Sequence, residues 1–370
     1  MPAKTRTSKR GGRSNGSSTR GAKALRGNPF LAVVETVREE MDQRLRGLLD
    51  AKVDAAAENG PEVVAMVSAL RELCLRGGKR LRAALVVAGY RAVSATADLE
   101  PALDAGVAIE LLHAYFLIHD DWMDGDDMRR GGPSVHAMLA ERYRSPVIGA
   151  HSAILAGDFG VALATEALSR VDVPPARLPR VLGAFAQMQI DAVAGQQLDI
   201  LSGAADVEKT YVLKTVSYTV AGPLRLGALL AGGSAELIGD LERFAHPAGV
   251  AFQLRDDLLS VFGDPRETGK PFANDIRNGK RTLLIERALE LGHGKDRALL
   301  EKAWGKTAAK QKDLQRVVEM LDRCGAKRAV EERIAELSNR SRDVVASGRL
   351  SEPSQRLLIG AIDALVERQN

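Results

Sequence analysis

The chain has 370 residues, of which 45% are hydrophobic and 27% charged, a composition that is ordinary for a globular protein and excludes disorder throughout. Its formal net charge of +4 is unevenly distributed. Residues 1–28 contain eight Lys or Arg and no acid, which leaves 44 basic against 48 acidic residues in the rest of the chain. The basic character therefore belongs to an N-terminal tail, and no specific binding of nucleic acid is predicted for the body.

The tail is rich in Gly, Ser and Thr and has too little apolar surface to offset chain entropy, so we expect residues 1–28 to be disordered. It lacks the apolar core of a secretory signal, although its composition is compatible with a transit peptide. No run approaches eighteen apolar residues, so no membrane span is predicted. The two cysteines, Cys74 and Cys324, have no CxxC spacing, which favours a reducing cytoplasmic location.

From residue 29 onward, prolines separate long stretches rich in Ala, Leu, Val and Glu, and they are typical of helix boundaries. Apolar residues between them recur at spacings of three and four, as in 107–117 and 182–198, whereas alternating strand patterns are scarce. Segments 105–119 and 221–231 are apolar on nearly all sides, which predicts central helices, and the more charged residues after about 295 predict outer ones. The sequence therefore predicts an all-α protein, with residues 29–370 forming a single large helical bundle.

The first acidic motif is Asp120-Asp121-Trp122-Met123-Asp124, at the end of the apolar segment 105–119. Residues four apart share one helix face, so Asp120 and Asp124 can point at one ion, with Asp121 nearby. Carboxylates that converge at the end of a buried helix repel one another unless a cation neutralises them. Oxygen-only ligation of this kind favours Mg²⁺. By itself, the motif is equally compatible with an acidic helix end that faces solvent.

A second acidic pair, Asp256-Asp257, follows another apolar helical segment. Two helices that present carboxylates to a common cavity can hold metal ions around a diphosphate and make it a leaving group. Cationic runs complete the pattern, because Arg and Lys suit phosphate oxygens. These runs comprise Gly77-Gly78-Lys79-Arg80-Leu81-Arg82, Arg129-Arg130, Lys214-Thr215, Lys270 and Lys280-Arg281.

Taken in this order, the segments resemble the trans-prenyl diphosphate synthases, the family that includes farnesyl and geranylgeranyl diphosphate synthases. The resemblance covers residues 70–285. It consists of GGKRLR at 77–82, ELLHAYFLIHDDWMDGDDMRRGGPSVH at 110–136, ILAGD at 154–158, GQQLDI at 195–200, KT at 214–215, AFQLRDDLL at 251–259 and GKPFANDIRNGKRTLL at 269–284. It implies a helical bundle of the isoprenoid synthase type with a central cavity, and a homodimer.

The resemblance also implies residue roles. Three Mg²⁺ ions would be held by Asp120, Asp121, Asp124 and Asp256, with less weight on Asp257. The allylic diphosphate would contact Arg129, Lys214, Thr215, Gln253, Lys270 and Lys280. Isopentenyl diphosphate would contact Lys79, Arg82, His113 and Arg130. Diphosphate departure would leave an allylic cation, which the isopentenyl double bond attacks, and the departed diphosphate would take the proton that is then lost.

Two aromatic residues bear on the product. Tyr115 and Phe116 stand five and four residues before Asp120, one helical turn away, where a growing prenyl tail would descend. Bulky side chains there resemble the short-chain synthases and predict a farnesyl or geranylgeranyl product. If the pocket follows another helix face, both residues are ordinary core aromatics.

Three alternatives stay open. In the second acidic motif Ser260 stands where the family has Asp, and the stretch DDLLSVFGD resembles the metal motif of class I terpene cyclases. Lys79, Arg82, His113 and Arg130 argue against a cyclase, which needs no isopentenyl site, as do Lys270 and Lys280. A second possibility is a non-catalytic partner subunit of a prenyl synthase, and a third is a helical scaffold whose basic tail binds RNA or an anionic membrane.

Overall fold

The computed structural model describes residues 27–201, 206–264 and 272–367, and the regular secondary structure in these ranges is helical apart from one short hairpin. In chain order the elements are α1 (Pro29–Ala56), a 3₁₀ turn (Ala57–Asn59), α2 (Pro61–Leu75), α3 (Leu81–Val93), α4 (Glu100–Asp124), β1 (Met128–Arg129), β2 (Gly132–Pro133), α5 (Val135–Tyr143), α6 (Pro146–Ser169), α7 (Leu178–Leu201), α8 (Val207–Tyr211), a π-helical segment (Val212–Ala221), α9 (Gly222–Ala231), α10 (Ala235–Phe262), α11 (Asn274–Arg277), α12 (Leu283–Leu291), α13 (Lys295–Ala303), α14 (Gln311–Arg323), α15 (Ala326–Ser347) and α16 (Glu352–Val366). The predicted all-α class is confirmed.

The N-terminus of α1 is stabilised by an N-cap residue, Asn28. The side chain of Asn28 accepts hydrogen bonds from the backbone N–H groups of Phe30 and Leu31, and Pro29 suits the first helical position. Asn28 Nδ2 also donates to the carbonyl oxygen of Gly360 in α16 at 2.9 Å, which joins the first helix to the last. Asn28 thus contacts both the first and the last helix of the bundle. Residues 1–26, for which disorder was predicted, lie outside the described residues.

Helix α4 lies at the centre of the bundle and packs against α3 and α6, while α3 also packs against α9. Its residues from Ala105 to Leu112 are all buried, as are most residues of α9, in agreement with the prediction of central helices. Helices α3 and α9 cross with their backbones in contact. A Cβ atom on Gly89 would lie 2.1 Å from the carbonyl oxygen of Leu224, and one on Gly227 would lie 1.9 Å from that of Val86. Only glycine allows this approach.

Helices α4 and α6 are long and apolar enough to cross a membrane by length and composition, although the sequence contains no uninterrupted apolar run of that length. The bundle buries 67% of the apolar window of α4, so burial in the core explains its composition. It buries only 39% of the corresponding window of α6. Helix α6 consequently carries an exposed apolar stripe that includes Val147, Ile148 and Leu155.

The π-helical segment lies against the C-terminal half of α7 and against α10. A Cβ atom on Gly195 in α7 would lie 2.2 Å from the backbone nitrogen of Lys214, so the two backbones are in contact at this point. This contact brings Lys214 to the end of α7, and π-helical turns often occur where a functional side chain must be redirected.

Candidate active site

The first acidic motif forms the last turn of α4, which ends at Gly125 in the left-handed conformation. Asp121 is buried, and Arg129 in β1 donates to its Oδ1 from Nε at 2.7 Å and also from Nη2. Asp121 Oδ2 is buried without a hydrogen-bond partner. Burial raises the pKa of Asp121, and the pairing with Arg129 only partly opposes it. One carboxylate oxygen is thus left for a cation that the chain does not supply.

Asp120, the first carboxylate of the motif, pairs with a lysine. Lys214 Nζ lies 3.0 Å from Asp120 Oδ1 and 2.5 Å from Asp199 Oδ2 at the end of α7. Burial by itself would raise the pKa of Asp120, but Lys214 and then Lys280 outweigh it, and the net pKa lies below its ordinary value. Burial lowers the pKa of Lys214, but Asp120 and Asp199 raise it by more, so the pKa lies above its ordinary value. Asp199 is the acid of the GQQLDI pattern and had no predicted role.

Asp124, the last carboxylate of the motif, pairs with Lys280, whose Nζ lies 2.8 Å from Asp124 Oδ2. Burial raises the pKa of Asp124 by more than Lys280 lowers it. The pKa of Lys280 lies well above its usual value, because Asp275 and then Asp124 outweigh burial. We call Asp120, Asp121 and Asp124, together with these partners, the acidic group.

Within the described part of the chain, no cluster of three or more His, Cys, Asp or Glu side chains is already arranged to hold a metal ion. The acidic group nevertheless fits Mg²⁺ in two respects. Its donors are carboxylate oxygens, which hard divalent cations prefer, and one buried oxygen of Asp121 lacks a partner. The lysines on Asp120 and Asp124 have long flexible stems, so a metal ion can replace their ammonium groups on the carboxylates.

The second acidic pair lies near the C-terminal end of α10, where Asp256 is partly buried and Asp257 fully buried. Asp257 Oδ1 accepts a hydrogen bond from Gln253 Nε2 at 2.8 Å, and Oδ2 accepts one from the Tyr211 hydroxyl. The Thr215 hydroxyl donates to Gln253 Oε1 at 2.7 Å. Burial, and after it Asp275, raises the pKa of Asp257 to about 7.

The predicted isopentenyl contacts form a second set, which we call the cationic group and which comprises Lys79, Arg82, His113 and Arg130. Arg130, with φ of +52°, donates from Nη1 to the carbonyl oxygen of Gly77 at 2.6 Å, so it is joined to the glycine turn before Lys79. Arg82 donates to Thr219 Oγ1 at 2.8 Å, and its guanidinium carbon lies 4.7 Å from the ring centroid of Tyr218. Arg82 Nε is buried without a partner.

The charges of the cationic group act on one another. Burial and then the charges of Arg82 and Arg130 hold the pKa of His113 well below its ordinary value, so its ring is neutral. His113 Nδ1 is buried without a hydrogen-bond partner. Burial, with further contributions from Arg80 and Arg82, lowers the pKa of Arg130. Lys79 is exposed.

One arginine of the GGKRLR run has a structural role instead. Arg80 is buried in the left-handed conformation before α3, and its Nη1 lies 2.9 Å from Glu110 Oε2. It also donates to Asp42 and to the carbonyl oxygen of Cys74. Its charge is therefore satisfied inside the bundle, and it is not available to a substrate.

The two aromatic residues predicted to limit chain length contact other rings. The ring centroids of Tyr115 and Phe116 are 4.9 Å apart, and that of Phe116 is 4.7 Å from Tyr218. Tyr115 lies edge-on to His119 at 4.7 Å, and His119 Nε2 lies 3.1 Å from the carbonyl oxygen of Ile154 in α6. Tyr218, which had no predicted role, thus contacts both Phe116 and Arg82 and connects the aromatic residues to the cationic group.

Among the residues named from the sequence, ion pairs join Asp120, Asp121 and Asp124 to Lys214, Arg129 and Lys280, and a hydrogen bond joins Thr215 to Gln253. Lys270 lies outside the described residues. Residues without a predicted role that contact this set include Asp199, Tyr211, Tyr218 and Thr219, which lie within or close to the quoted motifs GQQLDI and KT.

The sequence profile of the polyprenyl synthetase family matches residues 64–321. The chain belongs to the polyprenyl synthetase family. It is therefore a prenyltransferase, as the resemblance in the sequence predicted, and the possibility of a helical scaffold is excluded.

Individual relatives of the family extend the comparison. The chain is 34% identical over 266 residues to a short chain isoprenyl diphosphate synthase from Methanocaldococcus jannaschii, covering 69% of this chain and 76% of that protein. It is also 34% identical over 266 residues to a geranylgeranyl diphosphate synthase from Methanosarcina mazei, covering 70% and 77%. The crystal structure of a geranylgeranyl pyrophosphate synthase from Corynebacterium glutamicum, complexed with isoprenyl diphosphate and magnesium, superposes with a TM-score of 0.84 at 34% identity, covering 91% and 99%.

Proposed function

We propose that this polyprenyl synthetase condenses isopentenyl diphosphate with dimethylallyl, geranyl or farnesyl diphosphate and forms all-trans farnesyl or geranylgeranyl diphosphate, with release of diphosphate. One observation carries the proposal. The acidic group pairs every carboxylate with a cation, whereas the cationic group has a buried arginine nitrogen without a partner and a neutral histidine. The first arrangement suits a metal-bound diphosphate, and the second suits a diphosphate bound directly by cations.

On the metal side, Asp120, Asp121, Asp124 and Asp256 would hold Mg²⁺, and the resemblance to the family implies three ions. Bound Mg²⁺ would neutralise charge on the allylic diphosphate and make it a better leaving group. Lys214 and Lys280, released from their carboxylates, would then reach the diphosphate together with Arg129, Lys270, Thr215 and Gln253.

On the other side, Lys79, Arg82, Arg130 and His113 would bind isopentenyl diphosphate. A neutral His113 would donate one N–H to the substrate without adding positive charge to an already crowded cationic group. The allylic C–O bond breaks with its electron pair on the leaving diphosphate, and the isopentenyl double bond forms the new C–C bond. The proton lost from the product then goes to the released diphosphate, so the chain needs no dedicated base.

The decisive experiment is to incubate the purified protein with Mg²⁺, isopentenyl diphosphate and each allylic diphosphate in turn, and to size the products. Fifteen- or twenty-carbon linear diphosphates are expected. A cyclic hydrocarbon without elongation would support a terpene cyclase. If activity appears only after another synthase subunit is added, the chain is a non-catalytic partner.

The same assay tests chain length. Tyr115→Ala/Phe116→Ala should give longer products, because removing two bulky rings opens the space that a growing tail would enter. Tyr143→Ala, an aromatic truncation in α5 away from the site, is the control and should leave the product length unchanged. If the double variant keeps the wild-type product, the two rings do not form the floor of the pocket.

We further infer a homodimer in which a second copy covers the exposed apolar stripe of α6. Helix α7 contacts α6 and also exposes large apolar side chains, Ile190 at 61% and Val193 at 52%, which a second copy could cover together with the stripe. Leu155→Glu/Ile190→Glu should yield monomers in analytical ultracentrifugation. Leu291→Glu, a charge placed at an exposed leucine of α12, should leave the dimer intact. If the wild-type protein forms no dimer in solution and instead attaches to lipid vesicles, the stripe is a membrane surface.

We also propose that residues 29–370 form the catalytic domain, that the protein acts in the cytoplasm and that the basic tail is dispensable for turnover. Deletion of residues 1–26, which retains Gly27 and the Asn28 cap, should leave kcat unchanged. A large loss of turnover would contradict the proposal.

A further inference from the structure

Both carboxylate oxygen atoms of Asp257 accept hydrogen bonds from side chains inside the protein. Asp257 is 5% exposed, and its partners are the amide of Gln253 and the hydroxyl of Tyr211. The backbone N–H of Leu283 donates to the same Tyr211 hydroxyl at 3.0 Å. The Tyr211 hydroxyl therefore accepts from Leu283 and donates its hydrogen to Asp257.

The hydrogen bonds around Asp257 have a fixed direction. Since its Oδ1 accepts, Gln253 must present its amide nitrogen to Asp257 and its carbonyl oxygen to Thr215. The hydroxyl of Thr215 then donates to Gln253. The orientation of two side chains in the proposed allylic-diphosphate site thus depends on one buried carboxylate.

Three segments meet at this carboxylate. Tyr211 ends α8, three residues before Lys214 in the π-helical segment, and Gln253 lies one turn before Asp257 in α10. Leu283 begins α12, three residues after Lys280. Each segment contributes a residue to the proposed diphosphate contacts. Loss of the Asp257 hydrogen bonds would therefore shift all three segments relative to the diphosphate.

We infer that Asp257 and Tyr211 are positioning residues, which hold Gln253, Thr215 and the start of α12 in register for the allylic diphosphate, and that Asp257 is not a metal ligand. This inference rests on the proposed function for the identity of the ligand. Asp257 and Tyr211 do not contact the substrate themselves in this proposal. They act by orienting the side chains that do, as hydrogen-bond partners of ligand-binding residues commonly do.

The test compares Asp257→Asn, Tyr211→Phe and Asp256→Asn. Asn at 257 presents an N–H donor to either Gln253 or Tyr211, both of which already donate, so one hydrogen bond is lost. Asp257→Asn should raise the KM for the allylic diphosphate about tenfold, the effect of losing one hydrogen bond to a charged group, with kcat changed less. The Mg²⁺ concentration for half-maximal activity should stay within about twofold of wild type. Asp256→Asn should shift that Mg²⁺ concentration instead.

Tyr211→Phe should raise the same KM by a smaller factor, and the double variant should be no worse than Asp257→Asn alone, because both changes disrupt one hydrogen-bonded unit. Asp343→Asn and Tyr143→Phe are matched controls on α15 and α5. A shift in Mg²⁺ dependence for Asp257→Asn as large as that for Asp256→Asn would overturn the inference. Effects of the two changes that multiply independently would overturn it as well. Tyr211→Phe keeps the test valid if Asp257→Asn does not fold.

A binding measurement separates this inference from the proposed function. Calorimetry with inorganic diphosphate and Mg²⁺ should show about tenfold weaker binding by Asp257→Asn than by wild type or Asp343→Asn. If wild-type protein binds diphosphate but does not elongate any allylic substrate, the proposed function fails while the inference is still decided by calorimetry. Unchanged diphosphate binding by both Asp257→Asn and Tyr211→Phe would exclude the positioning role.

Discussion

The acidic and cationic groups lie in the same bundle and compensate charge in opposite ways. Every carboxylate of the acidic group is paired with a cation from a different segment, namely Asp120 with Lys214, Asp121 with Arg129 and Asp124 with Lys280. In the cationic group, Arg82 and Arg130 have mainly neutral partners, such as Thr219 and the Gly77 carbonyl. The electrostatic consequences differ accordingly. In the acidic group, cations lower the pKa of Asp120 and only partly oppose the effect of burial on Asp121 and Asp124. In the cationic group, burial and neighbouring positive charge lower the pKa values of Arg130 and His113.

This difference suggests how each side takes its ligand. The ion pairs of the acidic group compensate most of its negative charge without a metal ion. We propose that Lys214 and Lys280 would exchange these carboxylates for phosphate oxygens when Mg²⁺ and a diphosphate are bound. In the cationic group, the positive charges of Arg82 and Arg130 face neutral partners, and a diphosphate would compensate them directly. Four predictions test this contrast, from the largest expected effect to the smallest.

Asp120→Asn tests the acidic side most directly. Loss of one metal-binding carboxylate should lower kcat/KM by roughly a thousandfold, since metal stabilisation of a leaving group contributes several kcal/mol. The KM for isopentenyl diphosphate should change little, because that substrate is assigned to the other side. Steady-state kinetics at saturating Mg²⁺ measure both, and activity within about tenfold of wild type would remove Asp120 from the metal site.

Arg130→Gln tests the cationic side. Replacing a charged donor should raise the KM for isopentenyl diphosphate by roughly ten- to a hundredfold, which corresponds to one charge-assisted hydrogen bond. The Mg²⁺ dependence should not change. Arg142→Gln in α5 serves as the control. An effect on Mg²⁺ dependence equal to the effect on KM would mean that the two sides are not separate.

Lys214→Met tests the charge balance of the ligand-free protein. Without the ammonium group, Asp120 and Asp199 repel each other, so the free energy of unfolding should fall by about 1–2 kcal/mol, less than for a fully buried pair because Lys214 is partly exposed. Added Mg²⁺ should restore most of the loss relative to wild type, whereas Lys312→Met should match wild type both with and without Mg²⁺. Denaturant titrations with and without Mg²⁺ measure this, and a loss that Mg²⁺ leaves unchanged would contradict the exchange.

The smallest expected effect is the contribution of His113 to the pH dependence of the free energy of unfolding. The pKa of His113 is below 6.5 in the folded protein, so between pH 6.5 and 5.5 the unfolded chain binds a proton that the folded one does not. Wild-type stability should therefore fall by about 1 kcal/mol over this interval through His113 alone. His113→Gln should show a correspondingly shallower pH dependence in denaturant unfolding. Equal slopes would mean that His113 titrates normally in the fold.

Much of the fold followed from local patterns, because apolar periodicity and proline positions predict helices and their burial. The central position of α4 and α9 is an example, since segments that are apolar on all sides must lie inside. The acidic and basic site residues were likewise recognisable as an ordered set of motifs.

The pairing within the site was not predictable in the same way. Lys214 meets Asp120 across 94 residues of chain and meets Asp199 only because α7 and the π-helical segment touch. Helical spacing placed Asp120 and Asp124 on one face, yet it could not show that each has a different lysine partner. Arg80 illustrates the same limit, because its left-handed conformation before α3 turns its side chain into the bundle, which the run of basic residues did not indicate.

The contact at Gly195 has a consequence for efforts to change the substrate range by directed evolution. Position 195 has no reactive group, yet a methyl group there would meet the Lys214 backbone at 2.2 to 2.6 Å. In a variant library that randomises α7, most clones with a residue other than glycine at 195 would therefore be inactive, even if their other substitutions are favourable. Libraries that hold residue 195 as glycine and vary its neighbours should retain more active clones.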